Sequence, residues 1–161
     1  MGTSKRYVLA AAALSLGLFI AITQPIQAEQ MPSEVPGQAE ETVHATVRHI
    51  EAVEVRHAPS GKANIRILGE GTNAFLGLLR MEGGAKVPEH RDSDEEYIHI
   101  LQGTGTMFIE DKPYDVKPGT SIFMPKNARV RFQNGPDELM ALQVFAGPGS
   151  AAKYDAWTTR K

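Results

Sequence analysis

The 161-residue chain contains no cysteine. Disulfide bonds and thiolate nucleophiles are therefore excluded, although an oxidising compartment stays open to the chain. Blocks of basic charge are also missing. Seventeen Lys and Arg face 19 Asp and Glu, for a net charge of −2, so neither nucleic acid nor an anionic membrane surface is expected as a partner. No Ser-His-Asp set, phosphate-cradling glycine loop or CxxC pair is present, which leaves nucleophilic hydrolysis and nucleotide chemistry without support. There is no internal repeat, and no long helical period before the C-terminal tail.

What is present begins with a leader-like N-terminus. Lys5 and Arg6 precede a run of apolar and small residues over 8–22, interrupted by Ser15. A more polar stretch then ends in Ile26-Gln27-Ala28. This is the layout of a secretory signal peptide, with cleavage expected after Ala28. The apolar run is short for a bilayer span, which needs about 20 residues; an uncleaved anchor is the alternative. Without a cysteine near the cleavage point, a lipoprotein anchor is excluded. Loss of Lys5 and Arg6, with no acidic residue, would move the charge from −2 to −4. The expected product is exported, periplasmic or extracellular, and free of the membrane once cleaved.

Residues 29–45 are rich in Pro, Glu and Gln and read as a flexible linker. Residues 46–149 read as one all-β domain. β-branched residues recur over 47–55. Strands are expected over 63–68, 74–81, 97–101, 104–110, 121–124, 128–133 and 139–145. The connections are rich in Gly, Pro, Asn and Asp, including a tight one at Asp111-Lys112-Pro113. Strand spacing of this kind predicts a sandwich or barrel. Residues 150–161 form a tail in which Lys153 to Trp157 is expected to cap the outside of the barrel with its aromatic rings.

Two clusters of spaced residues stand out within the domain. Gly84, His90, Asp92, Glu96 and Gly103 form the first, and Gly119, Pro125, Asn127, Val130 and Asn134 the second. Their spacing resembles the two motifs of the cupin superfamily, in particular its small single-domain bacterial members, and the likeness covers about residues 65–145. Three positions depart: Asp92 and Val130 stand where the family has histidines, and Asn127 where it has glycine. The resemblance implies an all-β jelly-roll barrel (a double-stranded β-helix) with a pocket in the barrel mouth, commonly as a homodimer.

It also implies a metal site at His90, Asp92, Glu96 and the position of Val130, whose side chain coordinates nothing. Three readings are open. One imidazole and two carboxylates would hold a divalent metal weakly, with Mn²⁺, Fe²⁺ or Mg²⁺ suited better than Cu²⁺. Alternatively the barrel works without a metal. Val130 and Phe132 would then line an apolar pocket, and His90 with a neighbouring carboxylate would bind a small polar ligand, a sugar or a carboxylate, or act as acid and base. In the third reading the polar cluster is inert and the chain is a partner-binding module. An enzyme would be a metal-dependent oxygenase or an acid–base isomerase or epimerase. The oxygenase is disfavoured, because such iron sites use two histidines. Gln143, on the last strand, is the replacement polar contact if it faces inward. His99, three residues past Glu96, faces away from the site. Arg129 and Arg131 flank Val130 on the outer face.

Overall fold

The protein is described by a computed structural model covering residues 43–159. The signal-peptide expectation for residues 1–28, and most of the expected linker, lie outside the described residues.

Among the described residues the chain forms eleven strands: β1 (Arg56–His57), β2 (Ala63–Glu70), β3 (Phe75–Met81), β4 (Lys86–Arg91), β5 (Glu95–Gln102), β6 (Gly105–Ile109), β7 (Lys112–Val116), β8 (Ser121–Met124), β9 (Arg129–Asn134), β10 (Leu139–Ala146) and β11 (Thr158–Thr159). Two 3-10 turns, Ile50–Ala52 and Ser150–Tyr154, flank the set. Seven strands make one sheet in the order β11-β1-β2-β3-β10-β5-β8, and four make the other in the order β4-β9-β6-β7. All the paired strands run antiparallel.

Alternation decides which side chains meet between the sheets. Along β10, Leu139, Ala141, Gln143 and Phe145 are buried, and their neighbours are only partly so. Along β5, Glu96, Ile98 and Ile100 are buried, whereas Tyr97, His99 and Leu101 are exposed. Ile98 and Ile100 of the larger sheet pack with Met107, Val130 and Phe132 of the smaller one in a single core. A second cluster joins Ile65, Phe75 and Phe145 to Ala151 and Tyr154 of the tail. Each Ile, Val, Met or Phe side chain of these clusters contributes about 1.5–3 kcal/mol on burial.

The motif residues outside the site are structural. Asn127 has φ +63°, a left-handed conformation that Asn tolerates better than most residues, which explains why it stands in for glycine. Buried Asn134 donates its side-chain amide to Glu82 O at 2.7 Å and Asp137 O at 3.0 Å, fastening the end of β3 to the β9–β10 turn.

Three local expectations change. Residues 47–55 do not form a paired strand. Val47 is fully exposed and only Val53 of the segment is buried, and regular pairing starts at Arg56; charged residues between the valines break the alternation a paired strand needs. β4 and β7 were not expected as strands, and they are the two edges of the smaller sheet. Each contains a proline, Pro88 or Pro113, a residue that strands tolerate at an edge because it donates no ladder hydrogen bond there. The segment at Asp111-Lys112-Pro113 is accordingly a two-residue hairpin turn, with Glu110 and Asp111 both at positive φ, running into β7.

Candidate functional site

The two sheets enclose a cavity of about 330 Å³. Its wall is mainly apolar, with Met81, Ile98, Ile100, Met107, Met124 and Phe132 among the lining side chains. The polar groups at it include His90, Glu96, Gln143, Lys153 and Tyr154. They come from β4, β5, β10 and the 3-10 turn of the tail.

Glu96 is 5% exposed. Inward alternation of β5 puts it in the wall beside Gln143 of β10, whose Nε2 donates to Glu96 Oε1. Gln143 Oε1 in turn accepts from the Tyr154 hydroxyl at 3.0 Å. The relay fixes the amide orientation and sets Tyr154 as its outer donor. Burial pushes the Glu96 carboxyl up to about 7, in spite of the Gln143 bond, so neutral and ionised forms coexist near pH 7. Burial also raises Tyr154 far above the ordinary phenol, so it remains a protonated donor.

His90 is held at both ring nitrogens. Nδ1 lies 2.9 Å from Pro88 O and Nε2 lies 3.2 Å from Asp92 Oδ2. A carbonyl at one nitrogen and a carboxylate beside the other both favour the protonated ring over the neutral one. The Asp92 hydrogen bond raises the His90 pKa against the cost of burial, and the Pro88 carbonyl adds to the rise. Burial pushes Asp92 up, but hydrogen bonds from His90 and Lys153 outweigh it and hold the carboxyl below its ordinary value. Lys153 Nζ donates to Asp92 Oδ1 and lies 3.5 Å from the centre of the Phe145 ring. His90 and Lys153 thus bring two positive charges against the full negative charge of Asp92 and the partial one of Glu96, a balance that favours an anionic group on a ligand.

The expected site is brought together in part. His90, Glu96, Phe132 and Gln143 line the cavity, and Gln143 faces inward. Val130 does not line it; opposite His90 across β4 and β9, it is buried in the core. Asp92 does not line it either. β4 ends at Arg91, and Asp92 turns to His90 and Lys153.

The metal set His90, Asp92 and Glu96 is not gathered. Among the described residues, no three His, Cys, Asp or Glu side chains converge as ligands. His90 Nδ1 faces the Pro88 carbonyl, Asp92 is paired with His90 and Lys153, and Glu96 is bound by Gln143, so the three side chains are turned to separate protein partners.

Outside the cavity, His99 is exposed on the far face of β5, 2.8 Å from Ser121 Oγ. Arg129 pairs with Glu89, Glu110 and Asp111 of its own chain, whereas Arg131, which stacks on Phe108, also lines the cavity.

The tail closes part of the cavity from within rather than capping the barrel's outside. Tyr154 packs edge-on against Phe75, with ring centres 5.6 Å apart, and against Trp157 at 4.9 Å. Asp155 pairs with Arg56 at 3.2 Å, and β11 pairs with β1. Sequence reasoning missed Lys153 and Tyr154 as site residues. The signal for Tyr154 was a Tyr–Trp pair in so short a tail. Lys153 carried none, because its partner Asp92 lies 61 positions away.

The sequence profile of the cupin domain matches residues 77–145. Protein SchB of Streptomyces halstedii is 28% identical over 78 residues, covering 48% of this chain and 56% of SchB. Dimethylsulfoniopropionate lyase DddW of Ruegeria pomeroyi is 28% identical over 91 residues, covering 53% of this chain and 60% of that protein. The chain thus spans little more than half the length of these curated relatives. An RmlC-like cupin from Shewanella frigidimarina superposes with a TM-score of 0.60 at 14% identity, over 66% of this chain and 94% of the other; that likeness concerns the fold alone.

Proposed function

This chain is a small cupin-superfamily protein, and from that premise we propose that it is exported and binds a small carboxylate with an apolar body inside the barrel, without a metal. The observation that carries the reading is the cavity: an apolar wall with His90, Glu96, Gln143, Lys153 and Tyr154 as convergent polar groups. Such a wall with a few placed polar groups is the usual construction of a small-molecule site. A sugar, with hydroxyls all round, would leave most of them facing methionine and isoleucine side chains, at the cost of their hydration. Carboxylates therefore suit it better than sugars. Differential scanning fluorimetry of the purified chain against apolar carboxylic acids, their alcohols and sugars tests this. An acid should raise the melting temperature of the wild type and not of His90→Ala. A panel in which no acid does so contradicts the reading.

One observation favours a second reading, an acid–base enzyme acting on the same ligand class. Glu96 sits at the cavity with a pKa of about 7, the range suited to a general acid or base. That the curated relative DddW is named a lyase agrees with it. Turnover lost in Glu96→Gln with binding kept would support catalysis; no turnover in the wild type leaves a binding protein. Export is supported by the leader pattern of residues 1–28. It predicts an N-terminus at Glu29 in protein recovered from a secreting host, and an intact Met1 in the cytoplasmic fraction would contradict it.

A further inference from the structure

We propose that the apolar body of the ligand is an aromatic system of about two rings. The inference rests on the cavity-binding reading above and narrows its ligand class. Three methionines, Met81, Met107 and Met124, line the cavity. They come from β3, β6 and β8, so both sheets contribute thioethers to one space. All three are buried, at 3%, 6% and 3% exposure. Core packing alone does not call for three flexible thioethers in one wall, because leucine or isoleucine fills a barrel with better-defined rotamers. A polarisable sulfur gains most against an aromatic ring, by about 0.3–1.5 kcal/mol per contact, and an unbranched side chain adjusts to a flat ligand face. Phe132 and Trp157, which also line the cavity, add ring surfaces for edge-on or offset contact. Size agrees. An apolar cavity of about 150 Å³ holds one benzene, and this one measures about 330 Å³. The Lys153 ammonium, which has donors beyond the one given to Asp92, receives the carboxylate beside the His90 ring, and the rings lie against the sulfur-rich wall.

The test is calorimetric titration of the purified chain with 2-naphthoate and with its saturated counterpart, decalin-2-carboxylate, alongside methyl NMR of methionine-labelled protein. Naphthoate should bind about tenfold more tightly, the effect of roughly two sulfur–ring contacts. It should also move the Met81, Met107 and Met124 methyl resonances by ring-current shifts. Met140, on β10 but outside the cavity wall, should not respond. The double variant Met107→Leu with Met124→Leu, which conserves volume and is expected to fold, should bring the two affinities together. Equal or tighter binding of the saturated acid would overturn the aromatic assignment and leave the cavity reading standing. If neither acid binds and no methionine methyl moves, the cavity reading falls and takes this inference with it.

Discussion

A carboxyl folded into an apolar wall loses the hydration that favours its charged form, and Glu96 bears that cost. Its pKa rises from 4.5 to about 7, so the native state binds a proton that the unfolded chain releases between those values. The stabilisation is complete below the unfolded pKa and is lost as pH rises through 7. At about 1.4 kcal/mol per unit, the loss approaches about 3 kcal/mol. His90, also raised, acts in the same direction. Asp92, lowered, acts in the opposite one, contributing above its unfolded pKa of 3.8 and losing that contribution in acid. Stability should therefore peak near pH ~4, between the unfolded values of Asp92 and Glu96. Urea titrations from acid pH to pH ~9 should show this, and Glu96→Gln should flatten the alkaline limb; an unchanged limb would remove Glu96 as its cause. Tyr154→Phe deletes one hydroxyl and leaves Gln143 Oε1 without its donor, at a cost of about 1–3 kcal/mol in the same titration. His90 and Glu96 were legible in the sequence because motif spacing places them. The position of Asp92 was not. The resemblance implies an inward ligand there, whereas the strand stops one residue earlier and Asp92 pairs with Lys153.

At the scale of elements, the central strands could be read because apolar alternation marks them, as along β10. The edges could not. β4 and β7 carry Pro88 and Pro113 among polar residues, and their buried partners lie on strands distant in sequence. The turns are the better targets for mutation. Asn127→Gly should preserve stability, and Asn127→Ala should lose about 1 kcal/mol, because φ +63° penalises a side chain unable to bond locally. Asn134→Ala strands the carbonyls of Glu82 and Asp137 and should cost about 2–3 kcal/mol. Chemical denaturation checks both; an Asn134→Ala variant as stable as the wild type would show that the β3-to-turn fastening is dispensable.

For the whole molecule, the outer face of the larger sheet carries exposed Leu76, Tyr97, Leu101 and Phe123, with Tyr97 and Phe123 rings 5.0 Å apart on paired strands. A homodimer through this face is our proposal for its role, since exposed apolar surface of this kind marks association sites. Light scattering should give a dimer for the wild type and a monomer for Phe123→Lys; a monomeric wild type would contradict it.

Calorimetric titration of an apolar carboxylic acid in the presence of a strong chelator tests the proposed metal-independent carboxylate site inside the barrel. Saturable one-to-one binding that the chelator leaves unchanged and His90→Ala abolishes is the expected result. Binding that disappears with the chelator, or no binding heat at all, would contradict it.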